Sequence, residues 1–199
     1  MAKEGYPFVL ISAILALIFG YFELWILAGV FAVLAGFMAY FFRDPFRNVP
    51  TEADIIVSAA DGRVTRIDEN EISKTVSVFL SPFDVHINRS PIAGIIEKAD
   101  YIAGKKGPAT SNEASLYNER NSLTIRGEKV TVVCTQIAGI VARRIVCWSK
   151  QGDELQLGQK FGLIKFSSRT DVLMPSSVEL LVKIGDRVVG GETIIARIK

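Results

Sequence analysis

The stretch FGLIKFSSRTDVLMP, residues 161–175, decides how the rest of the chain is read. A run of apolar and β-branched residues (Leu163, Ile164, Phe166) stops at the adjacent hydroxyls of Ser167 and Ser168, passes Arg169 and Asp171, and resumes at Val172 and Leu173. That pattern predicts two strands meeting at a polar corner. Serines at corners usually hydrogen-bond their own backbone. A hydroxyl so placed can also attack a neighbouring carbonyl, and the stretch alone leaves both roles open.

Outward from this stretch the pattern stays β-like. Residues 55–58, 62–67, 75–80, 94–97, 121–125, 130–138, 140–148, 179–184 and 193–198 read as short strands broken by Gly, Asp and Asn, with no long amphipathic helix. An all-β domain over residues 55–199 is expected. Within it, GDELQLG (152–158) and GDRVVGG (185–191) repeat the pattern G-D-x-apolar-x-x-G. Each copy reads as a tight turn, one strand and a second turn, because glycine tolerates the positive φ such turns need. The repeat resembles that of biotinyl and lipoyl carrier domains, which implies a barrel-sandwich-hybrid architecture. Neither copy presents a carrier lysine, so the architecture is expected without the carrier function.

The composition is skewed at the N-terminus. Across residues 6–42 the only charged side chain is Glu23. As one helix this run would reach roughly 55 Å against a hydrocarbon core of about 30 Å, so a hairpin fits better than one straight span, with a partly inserted short first leg followed by a single span as the alternative. Residues 7–20 lead in, 21–24 turn, and 25–42 return, giving a membrane-anchoring hairpin over 1–42 and a proline-bounded linker over 43–54. Lys3, Arg43 and Arg47 then fall on one side, which the positive-inside rule makes cytoplasmic, with Tyr21, Phe22 and Trp25 as an aromatic belt at the far interface. The β domain is thus expected at the cytoplasmic face of the cell membrane. A net charge of +2 over 199 residues gives no argument for a nucleic-acid partner. Cys134 and Cys147 lack metal-ligand spacing and read as buried thiols in a reducing compartment, so no metal is expected.

His86, within FLSPFDVHINRSPIAG (79–94), is the only histidine. If a general base near neutral pH is needed, its imidazole is the one candidate. Pro82 and Pro91 bracket the segment, which reads as an irregular loop held by flanking strands. Asp61, in SAADGRV, is either a turn former or the carboxylate that orients the imidazole in a serine-histidine-aspartate set.

SAADGRV, FLSPFDVHINRSPIAG, YNERNSLTI, QIAGIVARRIVCW and FGLIKFSSRTDVLMP, in this order behind an apolar hairpin and an RDP linker, resemble the short-form phosphatidylserine decarboxylase proenzymes of bacteria and archaea. The resemblance implies a self-processing enzyme. Ser168 would be the nucleophile and the precursor of a covalent pyruvoyl group, His86 its base, and Asp61 the group that holds His86. The cut would fall between Ser167 and Ser168, giving a membrane-bearing β chain and a pyruvoyl α chain of residues 168–199. The pyruvoyl would form a Schiff base with a serine-headed phospholipid, phosphatidylserine or archaetidylserine, and accept the electrons released with carbon dioxide. His86 would return a proton to the product.

Arg143 and Arg144 alternate in facing on a strand, so one of them is a candidate for the lipid phosphate. Asn118, Glu119 and Arg120 are read as a loop salt bridge, with a place near the site as the alternative. An exposed strand edge can support a homodimer. One position departs from the family pattern: Ser167 stands where glycine is expected. It leaves open a variant that cleaves, an engineered block, or a cut shifted to the 166–167 bond, and the R-x-D-V after Ser168 favours Ser168. Two other readings are a membrane-anchored adaptor on a lipoyl-like domain and a serine hydrolase. The first gives no reason for Asp61, His86 and Ser168, and the second lacks a G-x-S-x-G elbow.

Overall fold

The computed structural model describes residues 1–104, 107, 117–139, 144–166 and 168–199. Ser167, Arg143, Lys105 and Lys106 lie outside the described residues. The chain divides into two compact units, Met1–Phe46 and Arg47–Lys199.

In the first unit, helices α1 (Tyr6–Tyr21) and α2 (Trp25–Phe41) are joined by a short turn in which Glu23 takes a φ of 58°. Phe8 stacks on Phe42 and Phe19 on Phe31, so the two helices run antiparallel. The C-terminal carbonyl of Tyr40 receives Arg43 Nη1 at 3.0 Å, a cation placed where the helix dipole favours one. Lys3–Tyr21 is long and apolar enough to cross a membrane by length and composition; Trp25–Phe41 is apolar but shorter.

In the second unit the strands are β1 (Ile55–Val57), β2 (Gly62–Glu69), β3 (Ser73–Leu80), β4 (Ile87–Arg89), β5 (Gly94–Ile102), β6 (Arg120–Arg126), β7 (Thr131–Ala138), β8 (Arg144–Cys147), β9 (Glu154–Leu155), β10 (Lys160–Lys165), β11 (Ser168–Pro175), β12 (Glu179–Leu180), β13 (Arg187–Val188) and β14 (Ile194–Arg197). They form an eight-stranded sheet in the order β13-β2-β3-β11-β7-β6-β5-β9 and two three-stranded sheets, β1-β14-β12 and β4-β10-β8. The all-β expectation holds. β11 lies mid-sheet, paired along its length with β3 on one side and over most of it with β7 on the other. Its side chains alternate: Ser168, Thr170, Val172 and Met174 are buried toward the core with Val64, Val78, Leu123 and Ile125, while Asp171 and Leu173 face outward. Arg169 shares the outward face yet is buried, and forms an ion pair with Asp171 at 2.9 Å.

Two expectations are corrected. Ser168 is the first residue of a central strand, so the corner lies before it, at Phe166, whose φ of 63° is left-handed. The segment between Pro82 and Pro91 is not wholly irregular. It contains β4, whose pairing partner β10 lies some seventy residues on and is invisible to local pattern reading.

The repeat is realised in detail. Each copy holds a two-residue strand, β9 or β13, between glycines of positive φ: Gly152 and Gly158 in one, Gly185 and Gly191 in the other. Asp153 Oδ2 accepts the Lys150 amide and Asp186 Oδ2 the Lys183 amide, both at 2.9 Å. Gly152 N donates to Ile96 O and Gly185 N to Val64 O. The duplication extends to the segments these copies pack on. Gly158 N donates to Ser90 O and Gly191 N to Ser58 O, so SPIAG (90–94) is the counterpart of SAADG (58–62). Within each, the serine hydroxyl bonds the carbonyl two residues on, Ala60 at 2.7 Å and Ile92 at 2.6 Å. Cys134 is buried in the core and Cys147 packs against it; burial pushes both thiols up.

Candidate active site

Ser168 stands in register between Leu80 of β3 and Ala138 of β7, and none of it reaches solvent. Its Oγ is buried with no hydrogen-bond partner among the described residues. A buried hydroxyl without a partner typically costs more than 1 kcal/mol, so natural cores rarely keep one for structure alone.

His86 lies immediately before β4 and is buried. Its carbonyl accepts Ile164 N at 3.2 Å, and its Nδ1 is 2.9 Å from Asp84 O. A carbonyl oxygen can only accept, so Nδ1 carries the proton and, in the neutral ring, Nε2 keeps the lone pair that a base needs. Two residues beyond His86, Asn88 Nδ2 donates to Thr170 Oγ1 at 2.8 Å, and Thr170 is two residues beyond Ser168. Residues two apart on a strand share a face. The contact sets Asn88 of β4 against Thr170 of β11, two residues beyond His86 and Ser168 respectively. Beneath it runs a buried amide chain: Gln136 Nε2 donates to Asn88 Oδ1 at 2.9 Å and Asn121 Nδ2 to Gln136 Oε1 at 3.0 Å. With each amide engaged, these side chains are held in one orientation.

Asp61 lies next to Gly62, the first residue of β2, at the same end of the sheet. Its Oδ2 accepts Arg47 Nη2 at 2.7 Å and its Oδ1 accepts Gly190 N at 2.8 Å. Among the described residues Asp61 makes no hydrogen bond to His86; the group on Nδ1 is the carbonyl of Asp84. Burial pushes the Asp61 carboxyl up, against the opposing pull of the Gly190 amide and the Arg47 guanidinium.

Asp84 is the residue the sequence reading missed. Its buried carboxylate accepts Ser81 N at 2.8 Å and Ser81 Oγ at 2.6 Å on one oxygen, and Arg187 Nη2 at 2.6 Å on the other. The turn whose carbonyl holds His86 is thereby fixed. The Ser-x-x-Asp spacing at 81–84 was the available signal. Asn118 Nδ2 donates to Ala138 O at 2.8 Å, beside Ser168 in the sheet. Glu119 is buried and accepts Tyr101 Oη at 3.1 Å and Ile145 N at 3.3 Å. Arg144 is exposed, opposite Lys165 across β8 and β10.

The phosphatidylserine decarboxylase family pattern matches residues 34–196. A phosphatidylserine decarboxylase proenzyme of Symbiobacterium thermophilum is 46% identical over 209 aligned positions, covering 100% of this chain and 95% of the relative. The proenzyme of the same name from Geotalea uraniireducens is 44% identical, covering 98% of this chain and 95% of its own length. With the match extending over Asp61, His86 and Ser168 and nearly end to end in both relatives, this chain belongs to the phosphatidylserine decarboxylase family.

Proposed function

We propose that the chain is a self-processing proenzyme whose mature form decarboxylates a serine-headed phospholipid, with a pyruvoyl group made from Ser168 as its electron sink. The observation that carries this reading is the fully buried Ser168 Oγ, partnerless among the described residues, on the strand whose Thr170 meets Asn88, two residues beyond the chain's only histidine.

In the processing step His86 Nε2 takes the hydroxyl proton as Ser168 Oγ attacks the carbonyl of residue 167. The peptide C–N bond breaks, an ester forms, and the proton passes to the freed amine of Ser168. Elimination then releases residue 167 as a carboxylate and leaves a dehydroalanine end, and water converts it to the ketone with loss of ammonia. Phe166, a non-glycine residue at φ 63°, holds strain of about 1–2 kcal/mol just upstream of the bond to be cut. After cutting, β11 keeps its ladders to β3 and β7, so the new N-terminus stays where Ser168 was and residues 168–199 remain held as the α chain.

The fit to a pyruvoyl group rests on that buried terminus: the Ser168 side chain is closed to solvent and its Oγ makes no hydrogen bond among the described residues, so no such contact is lost when that oxygen leaves with residue 167. Once present, the group supplies the sink for the electrons left as carbon dioxide departs. His86, its tautomer set by Asp84 O, returns a proton to the carbon that lost the carboxylate. Asp61 acts as a positioning residue, tying Arg47 to the Gly190 turn. Arg144 is the described arginine available to a lipid phosphate. The helix Lys3–Tyr21 and the basic flanks Lys3, Arg43 and Arg47 support a membrane anchor with the β unit on the cytoplasmic side. Tethering there raises the effective concentration of lipid at the site.

Intact mass spectrometry of the purified chain, with one aliquot treated with borohydride, tests the reading. Two fragments dividing at 167/168, the smaller lacking one ammonia and shifted by reduction, are expected, with Ser168→Ala remaining whole. An uncut wild-type chain that stays uncut in Ser167→Gly overturns it.

A further inference from the structure

The turn that holds His86 is closed from both sides by its own atoms. Asp84 N donates to Ser81 O at 2.9 Å, and Ser81 N and Oγ donate back to Asp84 Oδ2. One carboxylate oxygen is thus used inside the turn. The other, Oδ1, is met by Arg187 Nη2 at 2.6 Å, from 103 residues along the chain. The partners are unequal: the Asp84 side chain is 6% exposed and that of Arg187 69%. A surface guanidinium neutralises a buried carboxylate, and removing it would leave an interior charge uncompensated. Asp84 is also near enough to Asp61 for the two carboxylates to repel.

Arg187 reaches Asp84 from a fixed base. Its neighbour Val188 is buried in the core, and β13 pairs with β2 through Arg187 opposite Arg63 and Val188 opposite Gly62. Val64 N donates to Asp186 O, and Gly190 N donates to Asp61. The duplication shows that the turn itself needs no cation at this position. At the matching third place of GDELQLG stands Glu154, exposed, of opposite charge and without an ion pair among the described residues. The charge of Arg187 therefore serves Asp84 and not the repeat.

We infer that Arg187 is a positioning residue for His86: by clamping Asp84 it fixes the peptide carbonyl that keeps the proton on Nδ1, and so leaves Nε2 as the basic nitrogen of the ring. The clamp acts through the backbone of Asp84, since the carboxylate and the carbonyl that His86 uses belong to one residue of one closed turn. The inference rests on the decarboxylase reading and deepens it. Arg187 falls within residues 168–199, whereas Asp84 and His86 precede the cut. In the processed form the chain that carries the pyruvoyl group thus also orients the base supplied by the other chain.

The test uses the full chain in detergent micelles, purified without a histidine tag and labelled with ¹⁵N-histidine. His86 is the only histidine, so long-range ¹H–¹⁵N correlations report a single ring, in cut and uncut chains alike. At a pH where the ring is neutral, the parent and Arg187→Lys are expected to show Nδ1 protonated and Nε2 bare, and Arg187→Ala to show a mixture of tautomers. A parent ring protonated on Nε2, or an R187A spectrum identical to the parent's, overturns the inference. In a second arm, carbon dioxide release from short-chain phosphatidylserine is measured per processed chain. R187A is expected to lose about tenfold in kcat with KM within about twofold, and R187K to recover most of the loss. Asp84→Asn should match R187A, with the double variant no worse than either single one, because both break one clamp. Arg63→Ala is the control: it removes the 2.7 Å bond from Arg63 Nη1 to Gly185 O in the same turn and leaves Asp84 untouched. Losses that multiply in the double variant, or an R63A loss equal to that of R187A, also overturn the inference. A parent chain that releases no carbon dioxide from a serine lipid sinks the functional reading, and the ring spectrum then decides the role of Arg187 by itself.

Discussion

At one corner of the β unit residues 58–62 (SAADG) wrap against the turn 185–191; at the other, residues 90–94 (SPIAG) wrap against 152–158. The serine hydroxyls, the glycine amides and the aspartate-capped turns are the same in both, down to distances within 0.1 Å. The two five-residue segments differ at their three middle residues, and in charge only at the fourth. Asp61 is mostly buried and bridges Arg47 to the Gly190 amide, whereas its counterpart Ala93 is exposed. What the corners share is what the fold requires. What only one has lies at the end of the sheet that carries Ser168.

The sharpest way to break this comparison is at the closing glycines. A Cβ on Gly62 would sit 2.0 Å from Phe79 O, at a φ of 151°, and one on Gly94 would sit 2.3 Å from Arg126 O. Both obstacles are backbone. Gly62→Ala and Gly94→Ala are each expected to cost about 3 kcal/mol or more in urea unfolding, with Gly62→Ala the worse. Tolerance at one corner alone would mean that the duplication is only superficial.

Next come the serines. Ser58→Ala and Ser90→Ala each remove a hydroxyl from a buried carbonyl, and each should lower stability by about 1–2 kcal/mol, alike within error. A clear inequality would show that one corner supports the fold more than the other.

The asymmetric position gives a smaller effect, visible in pH dependence. Burial raises the Asp61 carboxyl above its unfolded value. In the window between the two the native state binds more protons, so this contribution is full below the unfolded pKa, about 3.9, and is lost as pH rises through the folded one. Asp61→Asn should therefore flatten the decline in unfolding free energy across that window, measured as urea midpoints at closely spaced pH. An unchanged slope would place the cause elsewhere. The smallest effect is expected at the matching site: Ala93→Asp puts a carboxylate in solvent and should change stability by less than about 0.5 kcal/mol.

Much of this was legible in the residues. Apolar run length and the position of Glu23 located the helical turn, and G-D-x-apolar-x-x-G located both short strands, because helix length and positive-φ glycine are local properties. The S-x-x-x-G half of the duplication is equally local but lies inside the two segments that also hold Asp61 and follow His86. β4 was not legible, since a three-residue strand between prolines is defined by its partner β10 and not by its own pattern.

By itself the sequence determined an apolar hairpin and a β unit with a duplicated G-D-x-apolar-x-x-G turn, and it nominated Asp61, His86 and Ser168 as candidates, since residue type and spacing carry those properties. Only the tertiary structure decided how that set is wired. A backbone carbonyl, that of Asp84, sets the tautomer of His86; Asp61 reaches Arg47 and Gly190; and Ser168 is closed off from solvent between β3 and β7, its Oγ without a hydrogen-bond partner among the described residues. Main-chain acceptors are identical at every residue, and burial is a property of neighbours brought together by folding, so neither can be read from a string of side chains.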